Sequence, residues 1–212
     1  MSQRTRFRRP AMLSFEDAEK IEGDEDPAAA FQVAMTSARA LLGLSDDEFG
    51  PDAVENLVRA IASEGVDIVA DLWERSPAFT LPGAFWRLYL FNEWYQRDPL
   101  LIHERFNEGV NAPFTAGIDD AEEEQSIPDV EAVFARVTAL FTGQDFGDLT
   151  DLLRECALTM RILASGATFG TTWIRSDKDR LATMVTRRAA ALIETANEVD
   201  LAADRSEANR LT

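Results

Sequence analysis

Residues 81–98, LPGAFWRLYLFNEWYQRD, restrict the possible folds more than any other stretch of the chain. Pro82 in the first turn and Pro99 just past the end bracket a single helix. At about 100° per residue, Phe85, Trp86, Leu88, Tyr89, Leu90, Phe91, Trp94 and Tyr95 point in nearly every direction around its axis. A helix apolar on all sides must be covered on most of them. The segment is therefore expected at the centre of the fold, and the neighbours that cover it have to come from the rest of the chain.

Those neighbours read as helices. Asp26 and Pro27 form an N-cap followed by proline at the first helical position, and Phe31, Met35 and Leu42 lead to a stop at Gly43. Residues 45–48 have the Ser-x-x-Glu form of a capping box, cut short by Gly50 and Pro51. A second helix starts near Pro51, with Val54, Leu57, Val58 and Ile61 on one face, and breaks at Gly65 before a further helical stretch, 66–76. After the central helix come a short helix over 99–108 and an exposed, acidic connection over 109–126. Three amphipathic helices follow at about 128–143, 148–165 and 177–199. Only residues 168–174 have strand-like composition, and Gly170 weakens that reading. The predicted fold is all-α: a single-domain, non-repetitive bundle of about 6–8 helices around the 81–98 helix. Residues 1–26 read as a basic and then acidic lead-in, 27–199 as the bundle and 200–212 as a polar tail.

Charge limits the partners. With 38 acidic and 21 basic side chains the net charge is -17, so the body of the fold repels nucleic acid and anionic lipid. The exception is the start, where Arg4, Arg6, Arg8 and Arg9 flank Phe7 with no acid among the first ten residues. Such an arm neutralises phosphates weakly and without sequence preference, and Phe7 is available for stacking. The arginines are followed by no signal-peptide core, and no run of about 18 apolar residues is present. With one cysteine, Cys156, an intramolecular disulfide is impossible, and the expected compartment is the cytoplasm.

The chemical motifs are mostly absent. The single histidine, His103, rules out the two-histidine zinc helix and the paired Glu-x-x-His motifs of di-iron bundles, and it reads as structural. No phosphate loop, dinucleotide fingerprint or nucleophile elbow is found. The acidic runs 46–48 and 119–124 read as a helix start and a solvated loop rather than as magnesium sites, so no metal or cofactor is expected. Cys156 falls on an apolar stripe, as a buried inert thiol would. The polar interruptions of the central helix are the remaining candidates. Arg87, Asn92 and Glu93, together with Trp94 and Tyr95, combine aromatic walls with convergent polar groups, the composition of a small-ligand pocket, with Trp86 as a further wall. Read structurally, Asn92 braces a neighbouring helix, Glu93 pairs with Arg97 and Arg87 stacks on Phe91 or Trp94.

The run 83–99, GAFWRLYLFNEWYQRDP, with IEGDEDP at 21–27 and DLWERSP at 71–77, resembles an actinobacterial family of helical proteins with no established activity. The resemblance implies a helical fold and brings no catalytic or binding residue with it. Three expectations therefore stand together. The leading one is a non-enzymatic interaction or scaffold protein meeting a protein partner or a second copy of itself. The others are a nucleic-acid-associated regulatory protein using the arginine arm, and a small-ligand-binding bundle with its pocket at the central helix.

Overall fold

The computed structural model of the protein describes residues 27–44, 51–113, 115, 126–169 and 180–211. Among these described residues the chain forms eight helices and no strand. In chain order they are α1 Pro27–Leu41, α2 Pro51–Glu64, α3 Asp67–Trp73, α4 Leu81–Arg97, α5 Pro99–Val110, α6 Val130–Phe141, α7 Leu149–Phe169 and α8 Arg180–Glu207. The fold is an all-α bundle, and none of its helices is long and apolar enough to cross a membrane among the described residues. The acidic runs at 46–48 and 119–124, the capping box at 45–48 and the arginine arm lie outside the described residues, as does the strand candidate beyond Phe169.

Local signals place most helix ends. Thr80 caps α4, its hydroxyl accepting from the Gly83 N–H at 3.3 Å, and Asp98 caps α5 by accepting from the Leu101 N–H. Asp129 accepts from the N–H groups of Glu131 and Ala132 to open α6. Gly43 and Gly143 end α1 and α6 with φ of 68° and 66°, backbone that glycine adopts without a Cβ penalty.

Burial departs from the sequence reading in several places. In α1 the buried residues are mostly small, Ala34, Thr36, Ser37, Ala38 and Ala40 beside Leu41, whereas Phe31 is exposed. In α4 the core receives Phe85, Leu88 and Phe91, whereas Trp86, Tyr89, Trp94 and Tyr95 are half-buried and Leu90 is 49% exposed. The reason is that α4 is covered mainly by α1, α3, α6 and α8, which leave part of its circumference open. The most enveloped helix is α7, buried continuously from Thr159 to Ala167. Its neighbours are α8, with which it makes the most extensive contact in the molecule, and α5.

The α7–α8 pair runs antiparallel, since Thr150 meets Ser206, Arg154 meets Asp204, and Arg161 meets Asp200. Ala189, Ala196 and Ala203 recur every seventh residue on α8 and are buried, which lets the two helices lie close. This seam carries α8 on to Glu207, through buried Ala202 and Ala203, where the sequence had suggested a polar tail from residue 200. The α5–α7 crossing is close as well. Gly109 lies against the Ile162 backbone and Gly166 against that of Arg105, so Gly109 is a packing residue of α5 rather than the first residue of an exposed connection. Trp73, Phe85 and Phe141 join α3, α4 and α6 through ring contacts of 5.7 to 6.1 Å.

Candidate functional site

Two cavities adjoin on the face where α4 and α5 meet α8 over the edge of α7. The first, about 400 Å³, lies between Trp94, Leu101 and Arg105 on one side and Arg188, Leu192 and Thr195 on the other, with Ala167 as part of its wall. The second, about 280 Å³, continues along α4 past Trp86, Leu90 and Phe91, with Met160 and Glu198 on its other walls. They share Trp94, Leu192 and Thr195, so they form one groove open to solvent. Helical periodicity produces the α4 wall: Trp86, Leu90 and Trp94 are spaced four apart and make a single stripe. On α8, Arg188, Leu192 and Thr195 make the facing stripe by the same rule.

Among the described residues, the ionisable groups that line this groove are Arg87, Arg105, Arg188 and Glu198. At one end the Arg87 Nε donates to the Glu198 carboxylate at 2.6 Å, and its Nη1 donates to the Gly83 carbonyl at 2.8 Å. At the other end the Arg105 guanidinium lies over the Trp94 ring, 5.8 Å from its centroid. Burial lowers the Arg105 pKa, and the nearby positive charge of Arg188 adds to that effect, against weaker support from Glu108 and Asp98.

The sequence candidates separate onto two faces of α4. Arg87 and Trp94 line the groove, together with Trp86. Asn92 instead accepts a hydrogen bond from the Thr138 hydroxyl of α6 at 3.3 Å, bracing that helix. Glu93 forms an exposed pair with Arg97 at 3.1 Å. Tyr95 stacks on Phe134 with ring centroids 4.0 Å apart and meets His103 edge-on, so it lies on the α6 side. The cation that covers Trp94 is Arg105 rather than Arg87. Comparison with protein-family models, curated proteins and solved structures gives no match. Arg4, Arg6, Phe7, Arg8 and Arg9 lie outside the described residues.

Elsewhere the polar groups serve packing. His103 Nε2 is 3.8 Å from a Glu131 carboxylate oxygen at the surface, and no cluster of three or more His, Cys, Asp or Glu side chains suited to a metal occurs among the described residues. Cys156 is fully buried, and burial pushes its thiol pKa up, which suppresses the thiolate. Arg105 and Arg188 were not singled out by the sequence. They sit on different helices some eighty positions apart, and no local pattern marks two arginines that only packing brings together.

Proposed function

We propose that the protein is a binding module that takes an elongated apolar ligand in the groove between α4 and α8. The observation that carries this reading is the continuity of the two cavities across Trp94, Leu192 and Thr195, with walls contributed by α4, α5, α7 and α8. An apolar trough with a few charged groups at its ends is the usual form of a small-molecule site. The reading assigns capture rather than a reaction. Glu198, the one acidic group on the walls among the described residues, is engaged by Arg87, and three arginines have no role as proton acceptors.

A neutral apolar probe tests the groove without involving its charges. N-phenyl-1-naphthylamine should become fluorescent with the wild-type protein, and the signal should be lost in Thr195→Phe, which fills the shared middle of the groove. Thr195 is suited to this test because its hydroxyl only back-bonds to the Ala191 carbonyl of its own helix. Equal enhancement in both proteins, with unchanged melting temperatures, would place the probe elsewhere and refute the reading. Loss of probe binding to the wild type as its concentration rises, with faster sedimentation, would instead mean that a second copy occupies the groove, as the scaffold expectation holds.

A further inference from the structure

Charge around the groove points to the chemical class of its ligand. Six of the described arginines, Arg59, Arg87, Arg97, Arg136, Arg154 and Arg161, make ion pairs. Arg105 and Arg188, like Arg75, Arg205 and Arg210, make none among the described residues, and what sets these two apart is their shared position. Both line the same cavity, near enough for the charge of one to act on the other, and Asp98 and Glu108 act on Arg105 without closing an ion pair. Arg105 is also folded over the indole of Trp94, which holds its charge at the apolar wall instead of in bulk water.

Two guanidinium groups facing one apolar cavity repel each other, and an anion between them removes that cost. The opposite end of the groove has no such excess, since Arg87 and Glu198 neutralise each other at 2.6 Å. The groove is therefore polar in one direction: cationic at Arg105 and Arg188, apolar through Trp94, Leu192 and Phe91, and neutral at the far end. From Arg188 to Glu198 the helix advances about 15 Å, too far for a small inorganic anion to span. Guanidinium forks match two oxygens of one anionic head group, and a carboxylate is the smallest that offers such a pair. Building on the groove reading above, we propose that the ligand is a free anionic amphiphile, a carboxylate seated between Arg105 and Arg188 with its unbranched alkyl chain along Trp94 and Leu192.

The experiment is calorimetric titration of the full chain with decanoate, decanol and acetate, repeated on Arg188→Gln, a substitution at an exposed position. Decanoate should bind at least about tenfold tighter than decanol, acetate should not bind, and R188Q should lose that tenfold for decanoate while leaving decanol unchanged. Equal affinity for decanol and decanoate, or an R188Q protein that binds decanoate as well as wild type, would overturn the head-group assignment and leave the groove reading standing. Failure of both long-chain compounds to bind would overturn the two together. Association with phosphatidylglycerol vesicles in the absence of decanoate binding would also overturn the proposal, because the head group recognised would then belong to a bilayer.

Discussion

Tyr89 shows how one side chain on the central helix acquires a pH dependence that its neighbours in sequence do not announce. Its hydroxyl donates to an Asp67 carboxylate oxygen at 2.7 Å, tying α4 to the start of α3. Desolvation, then this hydrogen bond and the Asp67 charge, push its pKa from 10.0 up to about 12. Because the folded pKa lies above the unfolded one, the contribution is complete below pH 10 and disappears as pH rises towards about 12. Urea midpoints of the wild type should fall across that interval more steeply than those of Tyr89→Phe, and parallel curves would refute the coupling. The sequence places Tyr89 on an apolar helix, but Asp67 comes from another helix, so the partner was not legible. A similar limit applies to Trp73, whose indole N–H donates to the Ser37 hydroxyl at 2.9 Å while that hydroxyl donates to the Ala34 carbonyl. Both partners are buried, and neither position stands out in a linear reading.

Among the helices, the closest approach is made by residues without side chains. α5 and α7 cross where a Cβ on Gly109 would collide with the Ile162 carbonyl and one on Gly166 with the Arg105 carbonyl. Backbone cannot move aside as a flexible side chain can, so Gly166→Ala should cost about 2 kcal/mol or more through displacement of the two helices. Gly43→Ala meets nothing within 4 Å and suffers only from its φ of 68°, at about 1 kcal/mol. Chemical denaturation of the two variants checks the order, and a Gly166→Ala midpoint no lower than that of Gly43→Ala would remove the steric argument. The displacement also bears on function, since Arg105 sits on the turn of α5 that Gly166 admits. Helix identity and most boundaries were legible from caps, prolines and three-and-four spacing. The depth of each helix was not: α4 has the strongest apolar signal yet leaves Leu90 exposed, whereas α7, with polar Thr159, Arg161 and Ser165 among its buried residues, is more deeply covered. The hydroxyls of Thr159 and Ser165 donate to carbonyls one turn back and Arg161 pairs with Asp200 through Nη2, whereas its buried Nη1 has no hydrogen-bond partner among the described residues.

The molecule as a whole encloses its one cysteine on the most covered helix. Cys156 is inaccessible and its thiol pKa is raised, first by desolvation and then by the neighbouring Glu155. Labelling by a thiol reagent at neutral pH should therefore require opening of the α7 packing and follow the population of unfolded protein as urea is increased. Rapid stoichiometric labelling without denaturant would show that α7 opens locally. Composition and periodicity were sufficient for the all-α class, because apolar spacing and end signals act within a few residues of each other along the chain. They were also sufficient for the net charge of -17, which is a sum over residues and needs no coordinates. Which faces close against each other depends on contacts between residues far apart in the chain. That dependence is why the α4 face of Arg87 and Trp94 meets α8 and the face of Asn92 and Tyr95 meets α6, although helical periodicity alone separates the two faces. It is also why Arg105 and Arg188, on different helices, meet at the end of one groove.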